Sequence, residues 1–178
     1  MFIFISGSSG SGKSLYAEQR LIELSDLNLN SERIYLATSK IYDHDYEMKS
    51  RVLRHKIMRS GKNFITIEKS CNLSEININR NWCILLEDLA SWTANEMFQD
   101  SEVKSSEFVS MKVYRELVNI LERSGNLVLV SCEIFSDCIK YDELTEIYIR
   151  TLAGLHVKLA ALANEVIEVN AGLIIRYK

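Results

Sequence analysis

The stretch Gly7–Ser14, GSSGSGKS in one-letter code, constrains the fold of this chain most strongly. It matches the pattern G-x-x-x-x-G-K-[ST] and directly follows the apolar run Phe2–Ile5. A glycine-rich loop between a buried strand and a helix turns backbone N–H groups toward phosphate oxygens, and the helix N-terminus adds partial positive charge. The junction therefore predicts a nucleoside triphosphate site. A ligand-free Gly/Ser turn is the weaker alternative, because Ala17, Leu21 and Leu24 then recur at helical spacing.

Each position of this phosphate loop has an expected contact. We expect Lys13 to reach the β- and γ-phosphates and the Ser14 hydroxyl to help hold Mg²⁺. The remaining positions offer mainly backbone N–H groups to the nucleotide: Gly7, Ser8, Ser9, Gly10, Ser11 and Gly12.

Apolar runs alternate with helical patterns along the whole chain. The predicted strands are Phe2–Ser6, Arg33–Thr38, Asn63–Glu68, Trp82–Leu86, Asn126–Cys132, Glu165–Asn170 and Leu173–Lys178. The predicted helices run from the phosphate loop to about Leu24, over Asp45–Arg59, through Val113–Leu121 with a cap near Gly125, and over Leu144–Leu162. This order predicts an α/β, P-loop NTPase-like fold of three layers, with a mostly parallel central sheet flanked by helices. Residues 1–178 form one predicted domain, which ends in an antiparallel hairpin at Ala171–Gly172.

Composition excludes several other classes. The net charge of −3 argues against non-specific binding to nucleic acid. The four cysteines form no C-x-x-C pair, so we expect neither a zinc site nor a disulfide framework. The first apolar run is too short for a signal peptide, and no apolar stretch is long enough to span a membrane. The cytoplasm is therefore the expected location.

Two acids follow the buried run Trp82–Leu86. In phosphate-loop enzymes a carboxylate at such a strand end lies near Mg²⁺. Because side chains alternate along a strand, we expect only one of Glu87 and Asp88 to face the nucleotide. The alternative is an ordinary polar strand end.

His55 lies in the basic run Arg51–Lys56. One interpretation is a solvated surface histidine. The other is a nucleophile: a neutral imidazole can attack an α-phosphate and form a phosphoramidate, while neighbouring cations offset the developing charge. His44 and His156 have no comparable setting, and we expect them to be structural or surface residues.

Several blocks together resemble one family, the bifunctional adenosylcobinamide kinase / adenosylcobinamide-phosphate guanylyltransferases of cobalamin biosynthesis. The resemblance covers nearly the whole chain. It rests most specifically on Tyr35–Ser39, Glu47, Met48, Arg51, His55, Lys56, Thr66 and Glu68, with support from Leu85–Glu87, Trp92, Asn95 and Leu152–Gly154.

The resemblance implies a reaction and a site. Members of this family phosphorylate adenosylcobinamide with ATP or GTP and then transfer GMP from GTP to that phosphate through a guanylylated histidine, which matches His55. It further implies a cytoplasmic homotrimer with Mg²⁺ held by Ser14 and Glu87. The expected catalytic residues are His55, Lys13 and Glu87, and the expected nucleotide contacts beyond the loop are Thr38, Ser39, Arg51, Lys56 and Glu68.

The chain also departs from the family pattern. Cys132 stands where the family commonly has Asn, Phe135–Asp137 replace small residues, and Asp88–Ala90 stand where Cys-Leu-Thr is common. These departures leave two alternatives open: a divergent phosphate-loop kinase or nucleotidyltransferase for another alcohol, and a non-catalytic GTP-binding regulatory protein.

Overall fold

A computed structural model describes residues 1–28, 30–40, 45–99, 102–136 and 139–178, without the side chains of residues 47, 48, 51, 54, 55 and 58. The strands are β1 (Phe2–Gly7), β2 (Glu32–Ala37), β3 (Phe64–Glu68), β4 (Trp82–Glu87), β5 (Asn126–Cys132), β6 (Glu165–Asn170) and β7 (Leu173–Arg176). The α-helices are α1 (Lys13–Asp26), α2 (Tyr46–Arg59), α3 (Leu89–Met97), α4 (Ser106–Arg123) and α5 (Glu143–Leu162), and Leu73–Glu75 form a short 3₁₀ helix.

In the described residues the strands form one seven-stranded sheet in the order β3-β2-β4-β5-β1-β6-β7. All neighbouring strands are parallel except β6 and β7. In the register, Gly7 pairs with Cys132 and Ala37 pairs with Glu87, so β1, β2, β4 and β5 end at the same edge. Ligands of open parallel sheets gather at this edge.

Alternation along β1 divides the core into two layers. Ile3 and Ile5 pack with Leu21 of α1 on one face. Phe2 and Phe4 belong to the larger cluster on the other face, which includes residues of α3, α4 and α5. Helices therefore cover both faces of a mostly parallel sheet, and the predicted three-layer P-loop NTPase-like fold is confirmed.

The C-terminal hairpin is also confirmed. Ala171 and Gly172 have φ angles of 49° and 81°, and two consecutive left-handed residues are typical of a two-residue hairpin turn. The last strand ends at Arg176, earlier than predicted. In the described parts of the chain, each helix is too short or too polar to cross a membrane.

One helix was not predicted, since α3 had no predicted counterpart. The helix end expected near Gly125 is confirmed, because α4 ends at Arg123 with Ser124 as its C-cap. Gly125 does not have a positive φ, so it is not a left-handed glycine cap. Its backbone lies close to that of Arg80: a Cβ atom at Gly125 would be 2.8 Å from the Arg80 carbonyl oxygen.

Candidate functional site

The phosphate loop is shaped by glycines at positions where other residues would not fit. A Cβ atom at Gly7 would lie 2.3 Å from the carbonyl oxygen of Val169 on β6. Gly12, the N-cap of α1, has a φ of 95°, in the left-handed region that glycine tolerates. Gly172 N donates a hydrogen bond to Ser11 O over 3.0 Å. The loop is therefore braced by β6 and by the hairpin turn that follows it.

Two buried polar groups in this loop fit a triphosphate. Lys13 is 3% exposed, and its Nζ donates to Ser8 O over 3.2 Å. Ser11 Oγ is buried and has no hydrogen-bond partner in the described residues. A buried polar atom without a partner is unfavourable, and a phosphate oxygen would satisfy it. The fold brings the predicted positions Gly7–Ser14 together in one loop, and their contact with phosphate stays a prediction.

Glu87 lies beside the start of α1, as the sequence predicts for a magnesium-binding carboxylate. Ser14 Oγ donates to Glu87 Oε1, and the Tyr35 hydroxyl donates to Oε2 over 3.1 Å. Among the described residues, no three or more His, Cys, Asp or Glu side chains could hold a metal ion together. Mg²⁺ needs no such group, because it is bound by one or two protein oxygens, substrate phosphates and water. Ser14 and Glu87 therefore fit Mg²⁺ held together with a nucleotide.

Tyr35 is a protonated donor in this arrangement. Burial raises the pKa of its hydroxyl well above the usual range, and the neighbouring Glu87 carboxylate raises it further. The tyrosine therefore fixes the Glu87 carboxylate without competing with it for a metal ion.

Asp88 has different contacts from Glu87, and the expectation that only one of the two acids faces the nucleotide stays a prediction. Its carboxylate Oδ1 accepts a hydrogen bond from Ser91 N over 2.6 Å and thereby caps α3. The peptide bond between Glu87 and Asp88 is cis.

Thr38 joins the ends of β2 and β4. Its buried hydroxyl Oγ1 donates to Asp88 O and accepts from Asp88 N, both over 2.8 Å. Thr38 O accepts from Asn95 Nδ2 over 2.7 Å, and Ser39 Oγ donates to Ser91 Oγ over 3.3 Å. These bonds fix the loop after β2 against α3. The predicted nucleotide contacts of Thr38 and Ser39 remain predictions.

The helix α2 carries the predicted nucleophile. The side chains of Arg51 and His55 lie outside the described part of the structure, and so do Asp137, His44 and Cys138. Lys56 Nζ donates to Glu68 Oε1 at the end of β3 over 3.0 Å. The fold thus brings together two of the predicted nucleotide-binding residues, Lys56 and Glu68. Lys56 directly follows His55 in the sequence.

The last residue of α2 holds this helix to the core. Arg59 is 6% exposed, and its guanidinium carbon lies 3.4 Å from the centre of the Tyr35 ring. Its Nη1 lies 3.8 Å from Glu18 Oε1 of α1, and Lys62 Nζ lies 2.6 Å from Glu18 Oε2. Tyr35 also contacts Glu87, so contiguous contacts connect the predicted magnesium ligand to α2. Sequence reasoning missed Arg59, because it lies among other basic residues and no spacing marks it as buried.

We expect Arg59→Ala to lower the free energy of unfolding by about 3 kcal/mol, since breaking a buried ion pair costs about 3–5 kcal/mol and Lys62 still pairs with Glu18. Arg150→Ala is the matched control. Arg150 is 78% exposed and pairs with Glu146, and such surface pairs contribute about 0.5 kcal/mol. Urea unfolding of both variants measures the difference. Equal effects would contradict the anchoring role of Arg59.

His156 lies beneath the end of β5. Its Nε2 is 2.7 Å from Ser131 Oγ, and its ring packs edge-on against Phe4 and Phe135, with centroids 5.0 Å apart in both cases. Burial lowers its pKa to about 4, although the nearby Glu133 carboxylate acts in the opposite direction. The expected structural role of His156 is therefore confirmed. One of the departures from the family pattern, Phe135, forms part of its packing.

This burial predicts a loss of stability in mild acid. The unfolded chain protonates His156 near pH 6.5 and the folded chain only near pH 4, so stability is complete above 6.5 and falls as the pH drops toward 4. Between pH 7 and pH 5 the expected loss is about 2 kcal/mol. In His156→Gln, which keeps a partner for Ser131, most of this loss should disappear. Urea unfolding at both pH values tests this, and an unchanged pH dependence in the variant would contradict it.

The chain is similar to known proteins in sequence and in fold. A protein-family model described as cobinamide kinase / cobinamide phosphate guanyltransferase matches residues 3–177. None of the curated protein sequences matches the chain. A KaiC-like protein from Pyrococcus horikoshii is 13% identical, with a TM-score of 0.48 over 94% of this chain and 69% of that one. The flagellar accessory protein FlaH from Methanocaldococcus jannaschii is 10% identical, with a TM-score of 0.46 over 97% of this chain and 74% of that one.

Proposed function

Because the chain belongs to the cobinamide kinase / cobinamide phosphate guanyltransferase family, we propose that it catalyses both reactions in turn. It phosphorylates the hydroxyl group of adenosylcobinamide with ATP or GTP, and it then transfers GMP from GTP to the new phosphate to give adenosylcobinamide-GDP. The chain is thus a transferase of cobalamin biosynthesis, and we propose that it acts in the cytoplasm. The observation that carries this proposal is the family match over residues 3–177, together with a phosphate loop that fits a triphosphate.

The phosphoryl transfer requires positioning and neutralisation of charge. We propose that Lys13 and the loop backbone bind the β- and γ-phosphates, because Lys13 is buried at the N-terminus of α1. Mg²⁺, held through Ser14 and Glu87, would neutralise phosphate charge when bound. The Tyr35 hydroxyl orients Glu87 for this task.

The guanylyl transfer requires a covalent intermediate. We propose that His55 attacks the α-phosphate of GTP, releases pyrophosphate and passes GMP to the phosphorylated acceptor. Support comes from the basic run around His55. It also comes from the neighbouring Lys56, whose ammonium group donates a hydrogen bond to Glu68. Arg51, Lys56 and Glu68, together with Thr38 and Ser39, are the proposed nucleotide contacts of this part of the site.

We also propose a homotrimer. The edge strand β7 exposes apolar side chains on both faces, with Leu173 71% exposed and Ile174 45% exposed. Exposed apolar edge strands favour association with another chain, and a subunit contact would cover this short one. Light scattering behind a sizing column measures the mass of the assembly, and a monomer at micromolar concentration would contradict this part of the proposal.

Product analysis tests the proposed function. The protein is incubated with GTP, Mg²⁺ and adenosylcobinamide. The corrinoids are then separated, and each is identified from its mass by mass spectrometry. We expect the phosphate first and the GDP product afterwards. If neither forms, the proposal is wrong for this chain. Nucleotide turnover that appears only with non-corrinoid alcohols would favour a divergent kinase, for which the bulky Phe135 beside the end of β5 is the supporting observation.

A further inference from the structure

Glu133 directly follows β5 at the edge of the sheet where the phosphate loop begins. Cys132 pairs with Gly7, and Glu133 N donates a hydrogen bond to Gly7 O over 3.0 Å. The backbone of Glu133 is therefore bonded to the first residue of the phosphate loop. Glu87 ends the neighbouring strand β4 and pairs with Val130, so Glu133 lies at the same edge, three residues beyond the level of Glu87.

The carboxylate of Glu133 is held in a fixed orientation. Its Oε1 accepts a hydrogen bond from Phe135 N over 2.6 Å. The Phe135 ring packs at 89° to the imidazole of His156, which is in turn fixed by Ser131. Within the described residues Oε2 accepts no hydrogen bond. One carboxylate oxygen is thus anchored to the core through these contacts, and the other remains for a ligand.

A cavity of about 390 Å³ opens beside this carboxylate. Its wall is mostly apolar or aromatic, with hydroxyl groups and a single carboxylate: Glu133, Ile134, Ser136, Tyr141, Thr145, Tyr148 and Ile149. The Tyr148 hydroxyl donates to Ala90 O over 3.1 Å, which ties this wall to the first turn of α3, directly after Glu87 and Asp88. Small-molecule sites are typically concave and apolar with a few polar groups, and this volume is at the lower end of their range. It suits an aliphatic arm with a hydroxyl group better than a large ring system.

We propose that this cavity receives the hydroxyl-bearing arm of the phosphoryl acceptor and that Glu133 is the general base of the phosphorylation. This inference rests on the proposed function and identifies the acceptor side of the same site. The acceptor oxygen forms a bond to the γ-phosphorus, and the bond between that phosphorus and the β–γ bridging oxygen breaks. The nucleoside diphosphate leaves with the electron pair, and the hydroxyl proton passes to Glu133 Oε2 and then to solvent.

The test compares Glu133→Gln with Glu143→Gln in the full chain. Glu143 is an exposed residue in the first turn of α5 and does not line the cavity. We expect Glu133→Gln to lower kcat for phosphorylation of adenosylcobinamide with ATP by about 10²–10⁴-fold, the usual contribution of general base catalysis, with little change in the KM for ATP. Glu133→Asp should retain part of the rate, and Glu143→Gln should match the parent. A second readout is the GMP adduct that forms on the protein from GTP alone, which needs no acceptor and should be unchanged in all variants.

Three results would overturn the inference, and they differ from one another. Phosphorylation by Glu133→Gln within about threefold of the parent rate would exclude the role of base while the proposed function stands. Parallel loss of phosphorylation, of the GMP adduct and of thermal stability in both Glu133 variants would show that Glu133 only maintains the fold. Absence of phosphorylation by the parent protein would refute the kinase function and, with it, the role of Glu133.

Discussion

Replacing Lys13 with alanine is expected to lower the rate of adenosylcobinamide phosphorylation by about 10³-fold, or about 4 kcal/mol in the activation free energy. Lys13 is 3% exposed at the start of α1, where its charge acts in a site largely shielded from water. In a phosphoryl transfer, most catalysis comes from such positioned charges, because the protein forms few covalent bonds. Steady-state turnover with saturating ATP and Mg²⁺ measures the effect.

Lys158→Ala is the matched control for this variant. Lys158 is exposed on α5 and donates a hydrogen bond only to Ser110 among the described residues. Its removal should leave turnover within about twofold of the parent, because surface substitutions have small effects. A Lys13→Ala variant that is folded and turns over like this control would contradict the proposed nucleotide site.

Replacing His55 with alanine is expected to separate the two reactions. Phosphorylation of adenosylcobinamide should continue, because that transfer is direct and needs no nucleophile on the protein. Formation of adenosylcobinamide-GDP should fall below detection, since the covalent route is lost with the imidazole. The corrinoid products after incubation with GTP and Mg²⁺ should therefore stop at the phosphate.

His44→Ala provides the control for this second variant. It removes a histidine that precedes α2 and that no motif marks as catalytic. It should yield the same products as the parent. If His55→Ala still produced the GDP product at the parent rate, the covalent route through His55 would be wrong, although the kinase reaction would remain.

Much of the fold could be predicted because the deciding signals are local. The strand Asn126–Cys132 contains the apolar run Leu127–Val130 and ends in small residues, and its predicted bounds match those of β5. The turn at Ala171–Gly172 has positive φ at both residues, and Gly172 adopts it without steric cost. The phosphate loop depends on glycine positions that a pattern can specify completely.

The helix α3 could not be predicted for a physical reason. Its buried residues share one face, but two of them, Thr93 and Glu96, are polar, so the face has no continuous apolar stripe. The buried Glu96 is satisfied by Lys112 of α4 and by Asn72 N, two partners that are distant in sequence. Local patterns carry no information about such partners, and a charged residue in a short segment indicates a loop.

The same limit applies to the site. Glu87 and Ser14 were predicted because each belongs to a motif at a strand end. Arg59 and Glu133 were not identified, because their roles depend on contacts with Tyr35, Glu18 and Gly7 that exist only in the folded chain. Residues that act through tertiary contacts require the structure.

The most direct test of the proposed function is the intact mass of the protein after incubation with GTP and Mg²⁺ in the absence of acceptor. We expect a species heavier by one GMP, labile to acid as a phosphoramidate is, and absent from His55→Ala. A folded protein that binds GTP and remains at its unmodified mass would contradict guanylyl transfer through His55.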